Sequence, residues 1–222
     1  MRTSRGISWE SNGRPVFEPV LYHLSVVLRR LRYSRWVAGP RHRELARNHL
    51  RPFFVGLNNF LQGLEVDYWL AYGTLLGYFR EADLILGDSD IDFGLPESAY
   101  QTVKDYAHRL PSGYVLADTS HRHGGPKLYV RNGLFSADLY FYREVPGGHQ
   151  VYLNSPWLCD SRPVPGTLLL PSQPGKFLGQ PTRLPNQVEE LLIWTYGYLG
   201  ADGRLDPATG VWYPPTGGTS HP

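Results

Sequence analysis

Cysteine is almost missing from this chain. A lone Cys159 in 222 residues cannot close an intrachain disulfide, and no Cys/His ladder with zinc spacing is there to staple a fold. That favours a reducing compartment. Charge of one sign is missing as well: 22 Lys and Arg against 20 Asp and Glu leave a formal net charge of +2. Such a chain has no global field with which to hold a polynucleotide, so nucleic acid is excluded as a partner and any anion must be met locally. Nor does an apolar run long enough for a signal peptide or a bilayer span follow Met1, Arg2, Thr3, Ser4 and Arg5. Together these absences predict a cytoplasmic protein.

What is present suffices for a core. At 41% apolar and 19% charged residues, 222 positions support one well-buried domain with some elaboration. Residues 21–36 combine Leu21, Leu24, Val27, Leu28 and Leu31 with Arg29, Arg30, Arg32 and Arg35. This pattern fits the basic outer face of a core-packing helix, and secondarily a peripheral contact with an anionic membrane. Further on, Phe53, Phe54, Leu57, Phe60, Leu61 and Leu64 recur at helical spacing and predict a helix from about Leu50 to Gly63, with Pro52 in its first turn. A short strand over 66–72, a turn at Gly73 and a short helix over 74–79 follow.

In 88–95, Ile91, Phe93 and Leu95 alternate with Asp90, Asp92 and Gly94, the period-two pattern of a strand with one apolar and one polar face. Asp88, Asp90 and Asp92 therefore point the same way. A helix from Pro96 to about Leu110 and strands at 114–117, 127–131 and 137–142 come next. Prolines and glycines crowd 155–185, which predicts a long irregular connection of the kind that shapes binding sites. Asn186 with Glu189 suits the cap of a last helix ending near Gly197 or Gly200, and the tail from Ala201 reads as flexible.

Three carboxylates at alternate positions of one strand repel each other unless a proton or a cation neutralises them. Oxygen-only ligands favour Mg²⁺ or Mn²⁺, and Mg²⁺ takes one or two carboxylates while leaving room for substrate phosphates. A calcium-binding EF-hand loop is the obvious competitor, but its sixth and twelfth positions would be Phe93 and Ala99 instead of glycine and glutamate. A solvated loop is opposed by the apolar residues that fix the strand's other face. Asp138, isolated in the apolar strand 137–142, is expensive unless paired or metal-bound and becomes the further ligand. Gly73 and Thr74, at a strand-to-helix turn, could hold a phosphate through backbone N–H groups and a hydroxyl. Arg80 is a candidate for a pyrophosphate oxygen, with a solvated helix-end arginine as the alternative. Lys127 is placed between a phosphate contact and a solubilising strand end. His121 and His123, in a predicted loop, read as surface histidines.

The string Tyr72-Gly-Thr-Leu-Leu-Gly-Tyr-Phe-Arg80, with Gly87-Asp-Ser-Asp-Ile-Asp-Phe-Gly94, resembles the LicD family, which includes fukutin and fukutin-related protein. The likeness extends to Ser136-Ala-Asp-Leu-Tyr-Phe-Tyr142 and, more loosely, to Lys176-Phe-Leu-Gly179, Pro185 and Tyr196-Gly197, covering roughly 65–200. It implies an α+β nucleotidyltransferase-type fold, a mixed sheet flanked by helices. A helical extension would precede it over 1–47, the domain itself would span 48–200, and a tail would follow over 201–222. It also implies transfer of a phospho-substituent, such as phosphocholine or ribitol phosphate, from a CDP-linked donor to a glycan or related hydroxyl. In that family the later two aspartates of the triplet bind metal, which corresponds to Asp90 and Asp92. Asp138 matches the third carboxylate, Asp88 supports, and Gly73 and Thr74 would hold donor phosphates. The chain departs from the family where a tryptophan or proline often precedes the triplet, having Leu86 and Gly87, and it has no cysteines for a zinc-binding insertion. Two other readings are a transferase adding a nucleotide to a small molecule or protein and a noncatalytic binding protein of the same fold. Retention of mutually repelling Asp90, Asp92 and Asp138 opposes the last.

Overall fold

The computed structural model describes residues 40–123, 125–145, 149–152 and 163–215. The basic segment 21–36, most of the predicted N-terminal extension, Cys159 and the last seven residues lie outside them.

The first helix, α1 (Pro40–Gln62), starts ten residues before the predicted one and carries Pro52 in its interior instead of its first turn. It therefore crosses the expected boundary between extension and domain at residue 47. Proline here forfeits one helical hydrogen bond. Continuous burial of Ala46, Leu50, Phe53, Phe54, Leu57 and Leu61 outweighs that loss by docking one whole face of α1 on the core.

Strand β1 (Trp69–Leu70) is followed by α2 (Tyr72–Glu81), then β2 (Asp90–Pro96), a short helix α3 (Ala99–Asp105), β3 (Val115–Asp118), α4 (Ser120–His123), β4 (Lys127–Asn132) and β5 (Phe135–Val145). These strands form one mixed sheet in the order β1-β2-β5-β4-β3, in which β2 and β5 run parallel and the other pairs antiparallel. The result is the expected α+β architecture of a mixed sheet flanked by helices. Ile91, Phe93 and Leu95 of β2 and Ala137, Leu139 and Phe141 of β5 are fully buried on one face, where α1 covers them through contacts such as Phe54 on Phe93 (5.9 Å between ring centroids). Burying that face fixes which way the alternate residues point. Gly94 stands under the Trp69 indole: a β-carbon there would lie 2.1 Å from Trp69 Nε1, so only glycine lets the two strands keep this approach.

The predicted irregular stretch contains more order than its prolines suggest. Among its described residues are β7 (Val164–Pro165), which pairs with β6 (His149–Tyr152), the turn α5 (Gly166–Leu169), and a hairpin of β8 (Gln173–Phe177) and β9 (Gln180–Leu184). Leu178 and Gly179, both at positive φ, close the hairpin as a two-residue turn whose twist matches that of its strands. Pro174 and Pro181 are tolerated because a two-stranded ribbon is all edge. The last helix, α6 (Val188–Tyr196), ends at Gly197 as expected, but Asn186 does not cap it. Its side chain instead joins Thr167 O (2.7 Å) to Gln173 Nε2 (3.0 Å), tying α5 to the hairpin. The start of the tail, read as flexible, holds a small hairpin of β10 (Arg204–Leu205) and β11 (Trp212–Tyr213). No described helix is long and apolar enough to cross a membrane.

Behind the sheet, Asp118 receives Lys104 Nζ at 2.8 Å, Tyr100 Oη at 2.5 Å and Ser120 Oγ at 2.6 Å. Burial alone would raise this carboxyl, but the bonds from Lys104, Ser120 and Tyr100 outweigh it and hold Asp118 below the usual carboxylate range. A depressed carboxylate stabilises the fold fully above its unfolded pKa, and that contribution is lost as pH falls through the folded value. Melting temperature should therefore fall on acidification from about pH 5 downwards, and a melting series should show Asp118→Asn to be less stable at neutral pH with a shallower acid limb.

Candidate active site

The polar face of β2 meets the polar face of β5. Asp92 and Asp138 are direct partners across the parallel pair, which places their backbones about 4.8 Å apart. Asp90 lies two residues earlier on β2, and Asp88 in the turn before it. Asp92 and Asp138 are each only 8% exposed. Burial, then the charges of Asp92 and Asp88, the hydrogen bond with Asp88 and the charge of Asp138 push Asp90 well above the ordinary carboxylate range. Burial, followed by Asp138 and Asp88, does the same to Asp92, against partial relief from Lys127 and the Gly73 N–H. Charge is disfavoured at both positions unless a cation accompanies it.

Gly73 and Thr74 hold Asp92 itself. The Gly73 N–H donates to Asp92 Oδ2 at 3.0 Å, and Thr74 Oγ1, buried in the first turn of α2, accepts the Asp92 N–H at 2.9 Å. The two groups assigned from sequence to a phosphate are thus engaged with a carboxylate that they aim. A β-carbon at 73 would come 3.1 Å from Asp88 Oδ2 and 3.3 Å from Asp92 Oδ2, so any larger residue pushes both carboxylates by a few tenths of an ångström. Backbone strain sits one residue earlier, where Tyr72 opens α2 at φ +41. Gly73→Ala should leave the melting temperature close to that of the parent, since alanine suits a helix. It should lower turnover roughly tenfold to a hundredfold by displacing both carboxylates; paired melting and rate measurements check this.

Arg80 lies at the far end of α2, where its guanidinium donates to the carbonyls of Leu199 (2.6 Å) and Gly200 (3.2 Å). The helix places it about 10 Å of axial rise from Gly73, so the structure does not bring it to the carboxylates. His123 turns its Nδ1 to Thr119 O and sets its ring 6.2 Å from that of Tyr129, and His121 is exposed on α4.

Lys127 differs most from its sequence reading. It is 2% exposed, its Nζ lies 2.9 Å from Asp138 Oδ1, and the same nitrogen stands 3.3 Å from the Tyr140 ring centroid and 4.8 Å from that of Tyr129. The signal was available in the strand pattern. Lys127 and Tyr129 alternate with the buried Leu128 and Val130, which sends the lysine to the face that carries Asp138. Tyr72 packs on Tyr140 at 4.5 Å and shares a hydroxyl contact of 3.0 Å with Tyr142, so an aromatic wall borders the carboxylates.

Among the described residues, no three His, Cys, Asp or Glu side chains are already drawn in around a single ion position. The donor set nevertheless fits a hard divalent cation. It is all oxygen, Asp92 and Asp138 are buried with Asp90 and Asp88 half-buried beside them, and Lys127 meets the set at Asp138. Asp90 and Asp92 are the pair best suited to hold it, because Asp138 already shares an oxygen with Lys127.

The model of the family described as LicD/FKTN/FKRP, nucleotidyltransferase domain, matches residues 65–187, more than half of the chain and the whole of this site. No curated protein matches the sequence. Solved structures similar to the chain include ANT(2")-Ia in complex with adenylyl-2"-tobramycin, at 13% identity and TM-score 0.42 over 62% of this chain and 69% of that one. They also include the lincomycin-bound lincosamide antibiotic adenylyltransferase LnuA, at 14% identity and TM-score 0.45 over 72% of this chain and 89% of that one.

Proposed function

The chain belongs to the LicD/FKTN/FKRP nucleotidyltransferase-domain family, and on that premise we propose that it is a metal-dependent transferase moving a phospho-substituent from a CDP-linked donor to a glycan or related hydroxyl. The observation that carries this reading is the pairing of Asp92 with Asp138 across adjacent strands, with Asp90 alongside. Repelling carboxylates at Asp90, Asp92 and Asp138, with Lys127 bonded to Asp138, favour a phosphate-handling site over a noncatalytic scaffold, which gains nothing from their repulsion.

A bound Mg²⁺ or Mn²⁺ would neutralise Asp90 and Asp92 and offset the charge of the donor phosphates. The Gly73 N–H and Thr74 Oγ1 keep Asp92 oriented for that task. Asp138 would accept the proton of the attacking hydroxyl. The acceptor oxygen then forms its bond to the phosphorus of the transferred group, the bond from that phosphorus to the nucleoside monophosphate oxygen breaks, and the monophosphate leaves. Gly73, Thr74, Arg80 and Lys127 are all engaged with other groups in the structure, which leaves Asp90 and Asp92 as the residues that would meet the donor phosphates, through the ion they would hold.

Calorimetry with CDP-choline and CDP-ribitol in Mg²⁺, on the parent and on Asp90→Ala and Asp92→Ala, tests the proposal. Metal-dependent binding confined to the parent supports it, and equal binding by all three contradicts it. A mass increase of one nucleotide on acceptors incubated with ATP or CTP would instead establish nucleotide addition, which the same carboxylates could serve.

A further inference from the structure

Metal dependence alone leaves the number of ions open, and the surroundings of Lys127 fix it. In a site whose carboxylates lie on two strands, one divalent ion can be shared by Asp90 and Asp92 and a second by Asp92 and Asp138. We propose that Lys127 takes the place of that second ion, so that the site holds one divalent cation, on Asp90 and Asp92, and that Lys127 is a positioning residue for Asp138. The inference rests on the proposed metal dependence.

Three features of the structure argue for it. The Lys127 ammonium lies 2.9 Å from Asp138 Oδ1, a charge-assisted bond to the oxygen that a second ion would need. The ammonium is also confined, over the Tyr140 ring at 3.3 Å and near that of Tyr129 at 4.8 Å, in a side chain only 2% exposed. Moving it aside would strand a buried positive charge away from both its carboxylate and its aromatic faces. Finally, the register puts Lys127 opposite Tyr140 and Tyr129 opposite Asp138, so the strand pairing itself delivers the ammonium to this place. One resident positive charge thus compensates Asp138 permanently, and a single divalent ion is left to compensate Asp90 and Asp92.

The consequence for the reaction concerns Asp138. Bonded through Oδ1 to a fixed ammonium, it keeps one orientation whether or not a divalent ion is present, and its Oδ2 is the atom left to meet the acceptor hydroxyl. A metal-bound Asp138 would lack that independence.

Titration of the full chain with Mn²⁺ alone, following free Mn²⁺ by electron paramagnetic resonance, reads the stoichiometry directly. The parent should bind one ion per chain, Lys127→Met two, and Asp138→Asn one, with an affinity within about threefold of the parent. Two ions on the parent, or one on a folded Lys127→Met, would overturn the inference while leaving metal dependence intact. Loss of all Mn²⁺ binding in Asp138→Asn would also overturn it, by making Asp138 a ligand of the sole ion. No binding by the parent would overturn both the inference and the function on which it rests. The parent and Asp138→Asn results decide the matter even if Lys127→Met does not fold.

Discussion

Asp92→Asn should fold and lose transfer by at least about a thousandfold, the scale on which removing a central charge-stabilising group from an active site acts. The side-chain amide keeps the shape of the carboxylate and can still accept the Gly73 N–H through its oxygen, so the turn that holds position 92 survives. What disappears is one of the two charges that make the site worth a divalent ion. Because burial and the charges of Asp138 and Asp88 disfavour ionisation of Asp92 in the folded chain, the variant should be at least as stable as the parent in chelator at neutral pH. Inactivity combined with undiminished metal-free stability separates a functional carboxylate from a structural one. Rate assays and melting curves on the same preparation show it.

Phe93→Ala should have the opposite profile. Its ring is fully buried, stacked 12° from parallel on Phe54 and edge-on to Tyr68 at 5.8 Å, so truncation opens a cavity in the centre of the core and costs about 3–5 kcal/mol. Thermal denaturation should register a drop of roughly 6 °C or more for a domain of this size. The position also connects core to chemistry. The same strand that presents Asp92 to the site anchors itself through Phe93, so looser packing behind the sheet should weaken metal binding as well as stability.

The aspartate strand was legible because its apolar residues alternate strictly, and alternation alone determines which face the carboxylates share. The proximity of Asp138 was not legible in the same way. It depends on β2 and β5 lying side by side in parallel across the 45 positions between Asp92 and Asp138, which local pattern does not encode, and only the cost of an isolated carboxylate in an apolar strand pointed to it. Lys127 was misjudged because a lysine at a strand start is usually solvated; reading the alternation of β4 as closely as that of β2 would have turned it inward. The β8–β9 hairpin was hidden by its own composition, since prolines that would break a central strand are harmless in a two-stranded ribbon. Arg80 shows the limit of spacing arguments. It follows the glycine turn by seven residues, and in a helix that distance carries it away from the site and toward the Leu199 and Gly200 carbonyls.

The central claim is that Asp90 and Asp92, crowded on β2 beside Asp138, need a divalent ion to carry their charge. It is tested most directly by melting the protein in chelator and in increasing Mg²⁺, beside the Asp90→Asn/Asp92→Asn double variant. At about a hundredfold excess over the dissociation constant, binding to the folded state adds about 2.7 kcal/mol, which for this length is a rise of roughly 5–10 °C. The parent should show that saturable rise and the double variant none. Identical curves for the parent with and without Mg²⁺ would contradict the account.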